Sequence, residues 1–318
     1  MIRKDKLLSW IEHRKKIENK FSREEEKHEK LIRVSCAIFL IFMLIVGPFV
    51  HSNLLLFLFL IGLIIIILLM ITPIVLRHYY KRIPKKIAEA SMEYIVKPNL
   101  EKIYFSNITC GYNRPLNKNE IRKISTIQIG AKYKIEGYID ALYKENPVKL
   151  YKLKILRATD FLMISGKLEP VFDGVCASCK TKKDIGDNRI LVKDIRAITD
   201  VEKILENNNM IPAELESDAF NQKFRTFSSK DNSDVQYLLT PDVMAKLLDF
   251  TKKYPSLSVS IHYNQQEIYI MINGLSCRAL FGETFSYDVY PDREQTALIL
   301  DDVEKIMNLI QEVGFSSF

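Results

Sequence analysis

Two uninterrupted apolar runs, Val34 to Val50 and Leu54 to Leu76, flank a short polar link, His51-Ser52-Asn53. Neither run holds Asp, Glu, Lys, Arg or His. A bilayer core of about 30 Å takes roughly 20 residues of helix, with about 17 as the lower limit. A helix also satisfies its own backbone in hydrocarbon. The spacing therefore predicts a helical hairpin through a membrane.

Charge supports an orientation for that hairpin. Residues 1–86 hold 16 of the 46 Lys+Arg and 7 of the 39 Asp+Glu, which leaves 30 and 32 for residues 87–318. Basic residues from Arg14 to Arg33 precede the first run, and Arg77, Lys81, Arg82, Lys85 and Lys86 follow the second. The link has none, so positive-inside bias predicts cytoplasmic N- and C-termini and an inner-membrane location. The charged stretch before the first run argues against a cleaved signal peptide. With no charge inside the spans, a pore or proton relay has no residues to work with. The remainder is slightly acidic, which argues against a general nucleic-acid footprint and leaves only a local basic patch, Lys180 to Lys183.

The expected fold class is α+β: an N-terminal two-helix transmembrane hairpin followed by a cytoplasmic mixed domain of antiparallel strands and flanking helices. Residues 1–33 read as a charged juxtamembrane helix, 34–76 as the two spans, 77–125 as a helical connector and 126–318 as the α+β domain, with a sub-boundary near 175–210. Helix is expected over 84–97, with Pro98 interrupting it, and over 119–124. Strands are expected at 127–131, 134–142, 148–158, 161–164, 189–195 and 198–201. Residues 169–174 read as a turn and 175–188 as loop. Ser217 or Asp218 is positioned to cap a short helix carrying Phe220 and Phe224 on one face, with a strand after it. Thr240-Pro241 is a helix start running to about Lys253. Residues 257–263 and 267–272 read as a β-hairpin and 275–281 as a further strand. An amphipathic helix covers 292–313, with Asp302 the exception on its apolar face.

Candidate chemistry is sparse. Cys176-Ala-Ser-Cys179 has the spacing of a zinc half-site or a redox pair. No second Cys-x-x-Cys accompanies it, and among the five His only His262 lies in the folded domain proper. The five Cys are too scattered for a disulfide framework, so reduced thiols are expected. Glu214, Glu216 and Asp218 offer carboxylates, but no matching base, metal ligand or phosphate loop joins them. No catalytic residue, metal or cofactor site is therefore assigned, and Cys176 and Cys179 stand as the one thiol pair to test.

The run Leu215 to Ser229, followed by Val235 to Leu248 with Leu239-Thr240-Pro241, resembles a bacterial family of two-span membrane proteins of unknown function. Ser258 to His262, Ile268 to Ile270, Glu136-Gly137 and Val171 to Gly174 extend the similarity, while the Cys176/Cys179 pair departs from it. The resemblance implies an uncharacterised inner-membrane protein, in some cases encoded beside LemA-type proteins, and carries over no functional residue. The expected role is that of a membrane-anchored cytoplasmic binding or scaffold protein. Its partners would be the lipid bilayer and a membrane protein or a second copy of itself, with no nucleic acid. The alternatives are a thiol-dependent redox or metal-binding membrane enzyme using Cys176 and Cys179, and a secreted effector inserted in a host membrane.

Overall fold

The computed structural model describes residues 82–318 except 104, 113, 131, 159–167, 182, 184, 198–204, 206–208, 231–232, 287–290 and 316–318; of the first 81 residues it describes 9, 12–20, 23, 26–27, 30 and 34. Helix α1 (Arg82–Ser91) passes through a π turn (Met92–Val96) into α2 (Lys97–Leu100). Then follow β1 (Phe105–Gly111), α3 (Lys118–Ser125), β2 (Lys132–Tyr143), β3 (Asn146–Ala158), β4 (Leu168–Lys180), β5 (Arg189–Asp194) and β6 (Ile211–Ala213). The chain continues through α4 (Asp218–Lys223), β7 (Phe224–Ser228), α5 (Ser233–Leu238), α6 (Pro241–Lys253), β8 (Ser258–Asn264), β9 (Glu267–Asn273) and α7 (Asp292–Ile310).

The nine strands among the described residues join one antiparallel sheet, ordered β1-β2-β3-β4-β9-β8-β5-β7-β6. Successive side chains on a strand point to opposite faces. The first face carries Val148, Leu150, Val175, Ala177, Val259, Ile261, Ile270 and Ile272, and packs in one core with residues of α2, α4, α6 and α7. The second face carries Tyr151, Leu153, Ile155, Cys176, Leu191, Tyr269 and Met271, and packs in a smaller core with Ile124 of α3 and Ile127.

This architecture corrects the two-span expectation. Among the described residues, no helix is long and apolar enough to cross a membrane. Even the 19-residue α7 has a charged face, with Arg293, Glu294, Asp301, Glu304 and Lys305 opposite its buried Ile299, Val303, Ile306 and Ile310. Apart from Val34, the apolar runs at 34–76 lie outside the described residues. The fold class is therefore α+β built on one nine-stranded antiparallel sheet with flanking helices. The hairpin, the inner-membrane location and the cytoplasmic termini inferred from it are withdrawn with the two-span architecture.

Local signals account for several elements. Ser217 Oγ accepts from the Phe220 N–H at 3.3 Å, and the Phe220 and Phe224 rings stack at 4.7 Å. Thr240 Oγ1 accepts from the Val243 N–H at 3.5 Å, with Pro241 in the first turn of α6. At α3, Asn117 Oδ1 accepts from the Glu120 N–H at 2.8 Å and Glu120 Oε2 accepts from the Asn117 N–H at 3.0 Å, a reciprocal capping box.

Four expectations fail for tertiary reasons. Pro98 does not end its helix; the π turn, with the Lys97 N–H bonded to the Met92 carbonyl, takes up the misfit that a proline imposes on the preceding turn. Residues 127–130 form no strand, because the Ile127 and Gln128 amides turn back to the Ile124 carbonyl and bury Ile127 under the second face; 131 lies outside the described residues. Residues 275–281 are a folded turn, whose Ala279 and Leu280 amides both donate to Asp302 Oδ2, at 3.0 and 2.9 Å. This is why a carboxylate interrupts the apolar face of α7. Most consequential, the expected turn and loop over 169–188 are instead largely β4, a 13-residue strand in the middle of the sheet. Gly174 permits its close approach to β9, since a Cβ there would lie 2.1 Å from the Ile272 carbonyl oxygen. The strands expected at 161–164 and 198–201 lie outside the described residues.

Candidate functional site

Because β4 is a strand, it separates the two cysteines. A spacing of three puts Cys176 on the second face and Cys179 on the first, each in a different core. Three strand residues also span about 10 Å, beyond the reach of a disulfide. Burial pushes both thiols up to about 12, with Glu120 adding to the effect on Cys176. They are two neutral core side chains rather than one site. Among the described residues, no group of three or more His, Cys, Asp or Glu could hold a metal ion. Glu214, Glu216 and Asp218 are all exposed around the start of α4 and converge on nothing.

The register of the sheet assembles a different constellation. Across the second face, Asp140, Lys149, Ser178, Tyr269 and His262 are successive cross-strand partners from β2, β3, β4, β9 and β8. Two residues further along each strand, Tyr138, Tyr151, Cys176, Met271 and Ser260 form the neighbouring row. Helix α3 lies over part of this surface. Where its cover stops, a cleft of about 300 Å³ opens, with walls from α3, β3, β4 and β9.

Hydrogen bonds fix the walls. On one side Tyr151 donates to Glu120 Oε1 at 3.1 Å, and Arg114 lies 3.6 Å from that carboxylate and 2.6 Å from Asp140. The Arg114 guanidinium also sits 5.6 Å from the Tyr138 ring and 5.9 Å from the Tyr151 ring. On the other side Lys123 is ion-paired with Glu267, whose Oε2 also accepts from Tyr269 at 3.2 Å. Burial and the carboxylates beside them push both tyrosine hydroxyls well above their ordinary range, so they stay protonated donors. Lys149 and Lys180, both exposed at the cleft, form no ion pair among the described residues.

Beneath this surface His262 is sealed, 1% exposed, with the backbone of Lys123 beside its ring. Burial, reinforced by Arg189 and Lys123, depresses it to about 3, so it is a neutral ring in the floor. None of Glu120, Lys123, Lys149, Tyr151, Ser178, Lys180 and Tyr269 forms a sequence motif. Their traces are Lys180 in the basic run Lys180 to Lys183 and the alternation of Lys149 and Tyr151 with apolar residues, and both become informative once the partners of each strand are known.

Comparisons with known proteins add kinship without an activity. No curated protein matches the chain. A crystal structure of the mycobacterial trehalose monomycolate transport factor A, TtfA, is similar at 10% identity and a TM-score of 0.35, over 70% of this chain and 96% of that one. A likeness of that strength carries no argument about this protein. Neither the two spans nor the link to LemA-type proteins is supported by any comparison. Residues 170–314, from within β4 to just past the end of α7, match the model of a family described as "Protein of unknown function (DUF3137)", which supports an uncharacterised family for this chain.

Proposed function

We propose that the protein acts by binding, and that the cleft beside α3 is where a small polar ligand sits. The observation that carries this reading is the convergence of one helix and three strands on a cleft of about 300 Å³ whose polar groups are already positioned by hydrogen bonds. That volume is at the small end of ligand pockets, which hold few but fixed polar groups. The ionisable hydroxyls at the cleft favour recognition over chemistry, because Tyr151 and Tyr269 are held protonated and donate to carboxylates. A thiol enzyme would need a thiolate, whereas Cys176 and Cys179 lie on opposite faces with thiols near 12.

The test is a screen of neutral, cationic and anionic small molecules against the full chain by thermal shift and by chemical-shift mapping. Ligands of the cleft should move Tyr151 and Tyr269 resonances. They should lose their effect in Asn119→Trp, a bulky change at an exposed position on the cleft wall. Ligands that stabilise wild type and variant equally would remove the cleft from consideration.

A further inference from the structure

Resting on the cleft as a binding site, we infer that it selects an anion, of the phosphate-monoester class, held between Lys149 and Lys180. The inference comes from which polar groups the protein has already used. Both oxygens of Glu120 are taken, Oε1 by Tyr151 and Oε2 by the Asn117 amide. Glu267 Oε2 is shared by Lys123 and Tyr269. Glu120 is thus fully engaged and Glu267 is engaged through one oxygen by the protein's own donors.

The donors at the mouth are not committed in this way. Lys149 faces Ser178 directly across the β3–β4 pair, and Lys180 is the next residue of β4 on the same face. Such diagonal neighbours lie about 7–8 Å apart at their Cα atoms, close enough for two ammonium groups to meet on one ligand. Directly across the sheet Lys149 faces Asp140 and Lys180 faces Glu267, but those carboxylates are bonded to Arg114 and to Lys123 and Tyr269, and neither lysine forms an ion pair among the described residues. The Asn117 side-chain amide lines the same opening, its oxygen already used by the Glu120 N–H and its nitrogen without a hydrogen-bond partner among the described residues. Three lysines, Lys123, Lys149 and Lys180, line the cleft against two glutamates, Glu120 and Glu267, which leaves one positive charge in excess and the ammonium groups of Lys149 and Lys180 as open donors. A compact dianion with several acceptor oxygens complements them, and charge-assisted hydrogen bonds of this kind are the strong ones.

The experiment titrates the full chain with inorganic phosphate, with glycerol 3-phosphate, with acetate, and with vesicles carrying phosphatidic acid. Saturable phosphate binding that shifts Lys149, Ser178 and Lys180 resonances is expected, with acetate weaker. Binding should weaken about tenfold or more in Lys149→Gln/Lys180→Gln, at an unchanged melting temperature and circular dichroism spectrum. Loss of glycerol 3-phosphate binding in that variant identifies a soluble monoester, and loss of vesicle binding identifies a headgroup; either supports the inference. Absence of saturable phosphate binding, or binding unaltered in the double variant, overturns it. If only neutral or cationic molecules occupy the cleft, the binding reading stands and the anion inference falls.

Discussion

Cys176 and Cys179 show how a residue's meaning depends on the element that carries it. The spacing of three reads as a pair in a loop or at a helix start, and as opposites on a strand. Here each thiol is a small buried apolar group at about 12. We expect neither to be alkylated by iodoacetamide in the native protein at pH 8, and both to be modified once the chain is unfolded; peptide mass spectrometry reads this site by site. Rapid native labelling of either would restore a reactive-thiol role. The same scale accounts for Asn117, Ser217 and Thr240, whose caps depend on neighbours within three residues; those of Ser217 and Thr240 were legible without a fold, and that of Asn117 was not read. The pairing of Lys149 with Lys180 was not legible, because it depends on the β3–β4 register and an exposed lysine has no local signature of the ligand it faces.

Elements with strong local signals match their expected form, and elements defined by their surroundings do not. Helix α6 and the β8–β9 hairpin lie within a residue or two of their expected bounds. Strand β4 was read as turn and loop, because a central strand buried on both faces loses the apolar–polar alternation that marks a half-exposed one. The 275–281 turn was read as a strand because its anchor, Asp302, is more than 20 residues away. Asp302→Leu should leave two buried amides without an acceptor and cost about 2–4 kcal/mol, whereas Asp302→Asn, which keeps an oxygen for them, should cost clearly less. Urea unfolding of both variants measures the difference. Equal costs would mean that the hydrogen bonds to the Ala279 and Leu280 amides do not hold the turn.

At the scale of the whole molecule, the sheet divides the protein into two cores and leaves one histidine sealed between strands and α3. His262 has a folded-state value near 3 against about 6.5 when unfolded. The unfolded chain therefore takes up a proton that the folded chain refuses, and stability is lost as pH falls from about 6.5 toward 3. The slope approaches 1.4 kcal/mol per pH unit within that window. His262→Gln should flatten this part of the profile, measured by urea unfolding between pH 7.5 and 4.5; a parallel profile in the variant would move the acid sensitivity to other groups. The sequence by itself determined the capped helices, the C-terminal hairpin, the amphipathic α7 and the distribution of charge along the chain, because each is encoded by residues within a turn or two of one another. Only the tertiary structure decided that β4 is a central strand, that the two cysteines face apart, and that the described residues form one nine-stranded sheet. It alone placed Glu120 against Tyr151 and Lys123 against Glu267, since cross-strand register and helix docking join residues that no local pattern connects.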